Sequence, residues 1–406
     1  MNTISRIVII GAGMAGARAV INLRANNYEG AITLVGDEAL MPYDRPPLSK
    51  ASILADADPE PVWLLDEGIA QSLKAEVIKG VAATAIDRAA KQVTLSDGRR
   101  LPYDKLLIAT GAKPRRLPIP GGEHALLLRN QEDMILLRQR FKPGKSVVII
   151  GGGFIGLELA SSAAKKGCSV TLIEAQARIL MRGVPEHVAR IVHDRHVAAG
   201  VTMMTGTGIS HLTAEAVHLA DGRVLPADTI IAGIGAAPEV TLAKEAGLVI
   251  DNGIACDAQM QTSDPDIYAA GDCASFIHGK YGNRRIRLEA WRSAQDQAAT
   301  AAENMLGGAK QNVAVPWFWS DQYELGLQIA GMADGATETV ARQTTPDAVV
   351  LFHLAADGTL LGASGIGPGN AISRDIKMAE MMMAKGVKPP KDVLADPAQP
   401  LKSLIR

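Results

Sequence analysis

Short apolar runs, each closed by glycine, punctuate this chain, and between them the pattern shifts to helical periodicity. Arg6-Ile7-Val8-Ile9-Ile10 passes into Gly11-Ala12-Gly13-Met14-Ala15-Gly16, and residues 17–25 read as a helix. Ala31-Ile32-Thr33-Leu34-Val35 is a second strand-type run, followed by Gly36-Asp37. The pattern then recurs. Ser146-Val147-Val148-Ile149-Ile150 leads into Gly151-Gly152-Gly153-Phe154-Ile155-Gly156, a helix over residues 157–166, the strand Val170-Thr171-Leu172-Ile173 and Glu174.

The later strands also come in matched sets. Val93-Thr94-Leu95, a turn at Ser96-Asp97-Gly98 and Leu106-Leu107-Ile108-Ala109-Thr110-Gly111 follow the first unit. Val217-His218-Leu219, a turn at Ala220-Asp221-Gly222 and Ile230-Ile231-Ala232-Gly233-Ile234-Gly235 follow the second. Asp97-Gly98-Arg99 precedes Leu101-Pro102 and Asp104 at the same offsets as Asp221-Gly222-Arg223 precedes Leu225-Pro226 and Asp228. This is an internal duplication of one module, not a solenoid. Ile267-Tyr268-Ala269-Ala270-Gly271-Asp272 is a further strand ending in Gly-Asp, where the chain returns to the first module. Beyond about residue 313 the tail predicts strands at 325–331, 349–354 and 360–363 and a helix at 372–385. Its Met378, Met381, Met382 and Met383 read as helix core. The expected architecture is α/β: two Rossmann-like dinucleotide-binding domains plus a C-terminal α+β domain. The first domain takes residues 1–113 and 241–312, the second 114–240, and the last 313–406.

A strand, Gly-x-Gly-x-x-Gly and a helix form a dinucleotide site for physical reasons. The first glycine permits the turn, the second lets backbone approach a pyrophosphate, and the third lets the helix pack on the strand. The anion then meets the positive end of the helix. Two copies imply two bound dinucleotides. Asp37 lies about 21 residues beyond Gly16 and Glu174 about 18 beyond Gly156, where such folds place the acid that accepts from ribose hydroxyls. For Asp37 the alternative is a solvated acidic turn. A carboxylate at Glu174 repels a 2′-phosphate, and the first following arginines are Arg178 and Arg182, so NADH is expected over NADPH. In Pro42-Tyr43-Asp44-Arg45-Pro46-Pro47-Leu48-Ser49-Lys50 the prolines stiffen the backbone. The stretch either holds Arg45 and Lys50 as fixed cations over a phosphate or aromatic ring, or is an exposed proline turn.

Composition narrows the field. With 47% apolar residues the chain is not disordered, and its net charge of −1 offers nothing to nucleic acid or an acidic membrane. Cys168, Cys256 and Cys273 are too widely spaced for a disulfide scaffold or a Cys-x-x-Cys metal site and read as packing residues. His193 and His196 share a helix face without further ligands, so they read as surface residues and no metal is expected. The apolar stretch 147–164 contains three consecutive glycines and Glu158, which excludes a membrane span. No secretory signal opens the chain, and the cytoplasm is the expected compartment.

Gly11 to Gly16, Ala109-Thr110-Gly111, Gly151 to Gly156 and Ala270-Gly271-Asp272 resemble, in that order, the two-dinucleotide flavoprotein disulfide-reductase superfamily. The segment from Pro42 to Lys50, with Trp317-Phe318-Trp319-Ser320-Asp321-Gln322, looks like its oxygenase-coupled ferredoxin reductase branch. The resemblance covers essentially the whole chain and implies FAD in the first module and NADH in the second. It matches Gly11, Gly13, Ala15 and Gly16 to the FAD pyrophosphate turn and Asp37 to the adenosine-ribose acid. Arg45 and Lys50 match basic residues against FAD, Lys50 being the cation that stabilises reduced flavin. Thr110 and Gly111 match the turn near FAD, and Asp272 the ribityl-binding aspartate. Gly153, Ile155, Gly156, Glu174 and Gly235 match the NADH site, and Glu158 the helix acid near the nicotinamide. Glu289, Trp291 and Trp319 match the flavin–nicotinamide region, with core packing as the alternative for both tryptophans.

The chain departs from the disulfide reductases in one respect: no cysteine precedes Cys168, so a thiol relay is excluded and electrons leave the flavin for an external acceptor. The reading is an FAD-dependent NADH:ferredoxin oxidoreductase serving, through a 2Fe-2S ferredoxin, a heme or Rieske oxygenase, as a monomer or homodimer. Rubredoxin, a quinone or monodehydroascorbate are alternative acceptors, and an apoptosis-inducing-factor-like NADH-responsive flavoprotein is the alternative class. Arg284, Arg285, Arg287 and Arg292 form the densest basic cluster and are expected to meet an acidic ferredoxin.

Overall fold

The computed structural model describes residues 4–405; the outermost positions of the expected first and last segments, 1–3 and 406, lie outside them. The chain forms two compact units. One contains the chain through Asp44, then Glu60–Lys113 and Ala237–Ala314; the other contains Arg45–Pro59, Pro114–Ala236 and the residues from Val315 onward.

The first unit is built on a five-stranded parallel sheet in the order Ile267–Ala269, Lys105–Ile108, Arg6–Ile10, Ala31–Val35, Ala75–Ile78. Ile7, Ile9, Leu34, Leu106 and Leu107 are fully buried, which is why these strands read as unbroken apolar runs. Helix Met14–Ala25 packs against helix Trp291–Met305. Small buried residues line both, Ala15, Gly16 and Ala19 on one and Ala294, Ala298, Ala301 and Ala302 on the other, and they permit a close approach.

The second unit holds a four-stranded parallel sheet, Thr202–Met204, Ser169–Ile173, Ser146–Ile150, Thr229–Ala232. It also holds a five-stranded antiparallel sheet in the order Trp317–Gln322, Leu325–Gly331, Leu360–Pro368, Ala348–Leu354, Glu338–Thr345. Helix Ser373–Lys385 packs on this sheet through Ile376, Ala379, Met382 and Met383, while Met378 is partly buried and Met381 exposed. The three expected tail strands and the helix are present. Trp317–Gln322 and Glu338–Thr345 were not legible as strands. In the latter, Arg342 occupies a core position with only 4% exposure. Its guanidinium donates to Asp375 at 2.9 Å and to the carbonyls of Asp396 and Gln399 at 2.6 and 2.9 Å. A buried cation replaces the apolar residue that would have marked the strand.

The duplication extends to hydrogen bonds. Asp104 accepts from the amides of Ser5 and Arg6 and the Ser5 hydroxyl, each at 2.8 Å. Asp228 accepts from the Ser146 amide at 2.8 Å, the Ser146 hydroxyl at 3.0 Å and Lys145 at 2.9 Å. Both aspartates clamp the entry to the strand that leads to the Gly-rich turn. The Asp97–Arg99 and Asp221–Arg223 pairs close equivalent hairpins.

One expectation is corrected. His193 is part-exposed, but His196 is fully buried. Val188, Ala189 and Val192 share its buried helix face. Its Nε2–H donates to Gln322 Oε1 at 2.9 Å, and the Tyr323 hydroxyl lies 3.3 Å from Nδ1. Helical spacing cannot show that a strand about 126 residues later covers this face. Burial pushes the His196 pKa down to about 4 from an ordinary 6.5. The unfolded chain therefore binds a proton that the folded chain refuses, so this contribution to stability is full above about pH 6.5 and is lost as pH falls toward about 4. The pKa difference corresponds to about 3 kcal/mol. Urea unfolding at pH 7 and pH 4.5 is expected to show a loss about 2 kcal/mol larger in the parent than in His196→Gln; parallel losses would mean that His196 does not titrate across folding.

Candidate dinucleotide sites and a buried carboxylate

Both parallel sheets change winding direction, and the Gly-rich turns lie at those points. In the first sheet the chain runs from Arg6–Ile10 out through Ala31–Val35 to Ala75–Ile78, then places Lys105–Ile108 and Ile267–Ala269 on the other side. The loops after Arg6–Ile10 and Lys105–Ile108 diverge there, the position where open α/β sheets take ligands. In the second sheet the same divergence falls between Ser146–Ile150 and Thr229–Ala232.

Only glycine fits these turns. Gly11 and Gly151 have φ of +110° and +112°, and a Cβ would stand 2.1 Å from the Ala109 carbonyl oxygen and 2.4 Å from that of Gly233. A Cβ on Gly16 or Gly156 would lie 1.9 or 2.1 Å from the carbonyl oxygen of Gly11 or Gly151. Helices Met14–Ala25 and Phe154–Lys165 begin at Gly13 and Gly153 with no side-chain cap and no acid in the first turn. The helix Gln131–Arg140, by contrast, carries a full capping box from Asn130 and Asp133. Two uncapped helix starts of identical build suit the phosphates of a dinucleotide, whose oxygens supply the missing acceptors.

At the first site Asp37 is exposed beyond Gly36, at the end of Ala31–Val35. The Thr110 hydroxyl donates to the Glu239 carbonyl at 2.7 Å, and the Gly111 carbonyl accepts from the Glu239 amide at 2.9 Å. Gly271, at φ +87°, approaches Ala15 so closely that a Cβ would lie 3.2 Å from that of Ala15. Its amide donates to the buried Gln297 Oε1 at 2.7 Å, which fixes the turn that presents Asp272. Trp291 opens the helix Trp291–Met305 half-buried and donates from Nε1 to Asp44 Oδ1 at 2.7 Å; Glu289 is exposed and pairs with Arg287 at 2.6 Å. Gln297 escaped the sequence reading because a glutamine on an Ala-rich helix carries no spacing signal.

At the second site Glu174 accepts from the Gly152 and Gln176 amides, each at 2.7 Å, so its carboxylate stands at the Gly-rich turn. Arg178 donates to the carbonyls of Ile179, Leu180 and Val184 at 3.1 to 3.3 Å. Ile155 is exposed beside Gly153, and Gly235 (φ +94°) is near Arg182, whose Nη2 lies 3.4 Å from where a Cβ would stand.

One turn further along the second Gly-rich helix, Glu158 is 3% exposed. It accepts from the hydroxyls of Ser49 and of Ser320, the latter at 2.6 Å, and pairs with Lys50 Nζ at 3.0 Å. The proline-rich segment delivers two of these partners. Pro46–Ser49 forms a 3₁₀ turn with Leu48 and Ser49 buried, and the Ser49 carbonyl accepts from the Ser162 hydroxyl at 2.7 Å. Pro46 and Pro47 suit the start of such a turn because their missing N–H groups have no partner there. The segment is thus a docked turn, not an exposed one. Arg45 donates to the Arg129 carbonyl at 2.7 Å. Lys50 Nζ also lies 5.9 Å from the Trp319 ring centre, and Trp319 stacks on Trp317 at 5.2 Å. Ser49 and Ser320 lie within the proline-rich segment and Trp317–Gln322, and nothing in their spacing marks them as partners of Glu158.

The arginine cluster is largely occupied by internal contacts. Arg285 donates to the carbonyls of Cys256 and Ser275 at 2.9 and 2.7 Å, Arg287 is held by Glu289, and of the four arginines Arg284 is exposed and the others part-buried. Cys256 and Cys273 are buried, and burial pushes both thiols up. Among the described residues no His, Cys, Asp and Glu group of metal-binding size occurs, and no helix is long and apolar enough to cross a membrane.

Gly13 separates folding from cofactor binding. Nothing lies within 4 Å of a Cβ placed there. Gly13→Ala is therefore expected to keep the parent circular dichroism while FAD per chain falls at least tenfold on dialysis; undiminished FAD content would show that no pyrophosphate approaches this turn.

Comparison with known proteins agrees with this geometry. Residues 5–298 match the pyridine nucleotide-disulphide oxidoreductase family and residues 317–405 the reductase C-terminal family. Putidaredoxin reductase of Pseudomonas putida is 38% identical, with 100% of this chain and 98% of that protein aligned. The ferredoxin–NAD(+) reductase component of the anthranilate 1,2-dioxygenase system of Burkholderia cepacia is 37% identical, with 98% of each covered. Among solved structures, the covalent putidaredoxin reductase–putidaredoxin complex superposes with a TM-score of 0.93 at 37% identity, over 100% of this chain and 99% of that one. The ferredoxin reductase for the CYP199A2 system from Rhodopseudomonas palustris gives 0.94 at 35% identity, over 99% and 100%. The chain belongs to the pyridine nucleotide-disulphide oxidoreductase family.

Proposed function

We propose that this chain is an FAD-dependent NADH:ferredoxin oxidoreductase that feeds a 2Fe-2S ferredoxin of a heme or Rieske oxygenase system in the cytoplasm. The observation that carries the reading is the pair of uncapped, glycine-lined helix starts in a chain with no cysteine before Cys168. Two dinucleotides are accommodated and no thiol stands ready to receive their electrons. Of the relatives named above, one is the ferredoxin–NAD(+) reductase component of a dioxygenase system, and putidaredoxin reductase is solved in a covalent complex with putidaredoxin.

FAD, when bound, accepts hydride from NADH and releases electrons singly to a one-electron carrier. Gly11 makes the tight turn, its own amide donating to the Val35 carbonyl at 2.8 Å, while Gly13, Ala15 and Gly16 accommodate the FAD pyrophosphate by offering backbone amides and Asp37 accepts from the FAD ribose. Thr110, Gly111 and Asp272 border the same switch-point loops. Gly153, Ile155, Gly156 and Gly235 line the NADH site. Glu174 accepts from the ribose hydroxyls there, and Arg178, engaged with three carbonyls, is not available to pair with a 2′-phosphate. Glu158 neutralises and orients Lys50, so that the ammonium stays fixed as charge develops on the cofactor. Trp291, Glu289, Trp319 and Arg45 complete the proposed set.

Anaerobic mixing with NADH is expected to bleach the flavin rapidly, and subsequent mixing with oxidised 2Fe-2S ferredoxins to reduce one of them in a fast, saturable phase. Bleaching without any carrier reduced would point to a quinone or another small acceptor. Glu174→Ala is expected to lower the ratio of kcat/KM for NADH over NADPH at least tenfold, the scale of losing charge-assisted hydrogen bonds. An unchanged ratio would remove Glu174 from the ribose site.

A further inference from the structure

Glu158 is the inner end of a buried hydrogen-bond chain. The Ser320 hydroxyl donates to Glu158 Oε1 at 2.6 Å, and Gln322 Nε2 donates to Ser320 Oγ at 3.1 Å. His196 Nε2–H donates to Gln322 Oε1 at 2.9 Å, and the Tyr323 hydroxyl donates to His196 Nδ1 at 3.3 Å. Glu158, Ser320, Gln322 and His196 are each less than 5% exposed. Every direction follows from the one before. An ionised carboxylate only accepts, so the serine gives it its hydrogen and receives the amide N–H on a lone pair. The amide then turns its oxygen to His196, which selects the Nε2–H tautomer and leaves Nδ1 to accept from the phenol. All four dipoles point their positive ends toward Glu158.

The fold supplies this alignment from separate elements. Ser320 and Gln322 are two apart on strand Trp317–Gln322, hence on one face of it. Glu158 and His196 come from helices Phe154–Lys165 and Glu186–Ala198. The outer end is tied down at the hairpin tip. Tyr323 has φ +57°, a costly conformation for an aromatic residue that persists only where its surroundings enforce it. Here the Tyr323 amide donates to Ser161 Oγ at 3.1 Å, and the Arg195 guanidinium covers the ring at 4.1 Å. Arg195 also grips Glu324 with two hydrogen bonds, at 2.6 and 2.9 Å. Lys165 Nζ lies 5.6 Å over the same ring.

We infer that His196, acting through Gln322 and Ser320, is a positioning residue for Glu158, fixing the orientation of the carboxylate that holds Lys50. The inference rests on the proposed place of Glu158 beside the nicotinamide. An amide in the middle of the chain passes no proton under ordinary conditions, so the chain orients and polarises the carboxylate and does not conduct.

The test is anaerobic stopped-flow reduction of the FAD-loaded protein by NADH, giving a limiting rate and an apparent Kd, with the flavin spectrum and FAD content as folding controls. Ser320→Ala and Gln322→Leu are expected to lower the limiting rate about tenfold while the apparent Kd moves less than about twofold. His196→Phe should match them, and His196→Gln, which restores an N–H toward Gln322, should recover most of the rate. Ser320→Ala combined with Glu158→Gln should be no slower than Glu158→Gln alone, because the serine acts only through the carboxylate. If Glu158→Gln slows reduction but Ser320→Ala and Gln322→Leu do not, the positioning role is overturned and the proposed place of Glu158 stands. A His196→Gln variant as slow as His196→Phe would likewise overturn the role of His196. If Glu158→Gln itself reduces at the parent rate, the reading of Glu158 fails first. Should His196→Phe not fold, Ser320→Ala and Gln322→Leu decide the matter.

Discussion

Backbone pressed against backbone is the constraint on which the rest depends. At Gly11 and Gly16, and again at Gly151 and Gly156, the space for a Cβ is already filled by a carbonyl oxygen about 2 Å away. Because the turn is so tight, the helix begins directly at the carboxyl end of a central strand, and no side chain caps its first amides. Packing and anion recognition are therefore one arrangement: the glycines that let helix approach strand also strip the helix start of competing acceptors.

Around the second turn the chain builds something the first lacks. Glu158 is a carboxylate with almost no access to water, an expensive group unless every lone-pair direction is met. Two serine hydroxyls and an ammonium meet it. They come from the proline-rich turn and the C-terminal sheet, elements far from Glu158 in sequence. Removing any one leaves a buried anion undersupplied, so the three segments are bound to one another through a single side chain. Tyr323, in its unfavourable backbone conformation at the hairpin tip, belongs to the same system.

Duplication also separates structural from functional acids. Asp104 and Asp228 repeat because each clamps the entry to a central strand, and the Asp-Gly-Arg hairpins repeat because each closes a three-stranded flap. Asp37 and Glu174 repeat at the opposite, carboxyl ends of the sheets, where a ligand would reach them. Glu158 has no acidic counterpart in the first helix. An acid that breaks the repeat marks where the second module carries chemistry of its own.

What the sequence determined by itself was whatever depends on local spacing. The two Gly-rich turns, the parallel strands that lead to them, the acids after the second strands and the tail strands with pure apolar runs were all legible, because each is set by neighbours within a few residues. Strand Glu338–Thr345 was not, since Arg342 fills its core position and is neutralised by Asp375 and by carbonyls some fifty residues away. His196 looked like a surface residue, because periodicity describes a face without saying what covers it. Tertiary structure alone joined Ser49, Lys50, Glu158, Ser320, Gln322 and His196. The physical reason is that a hydrogen bond is satisfied by proximity in space, and the partners of a buried polar group leave no periodic trace in the chain that supplies them.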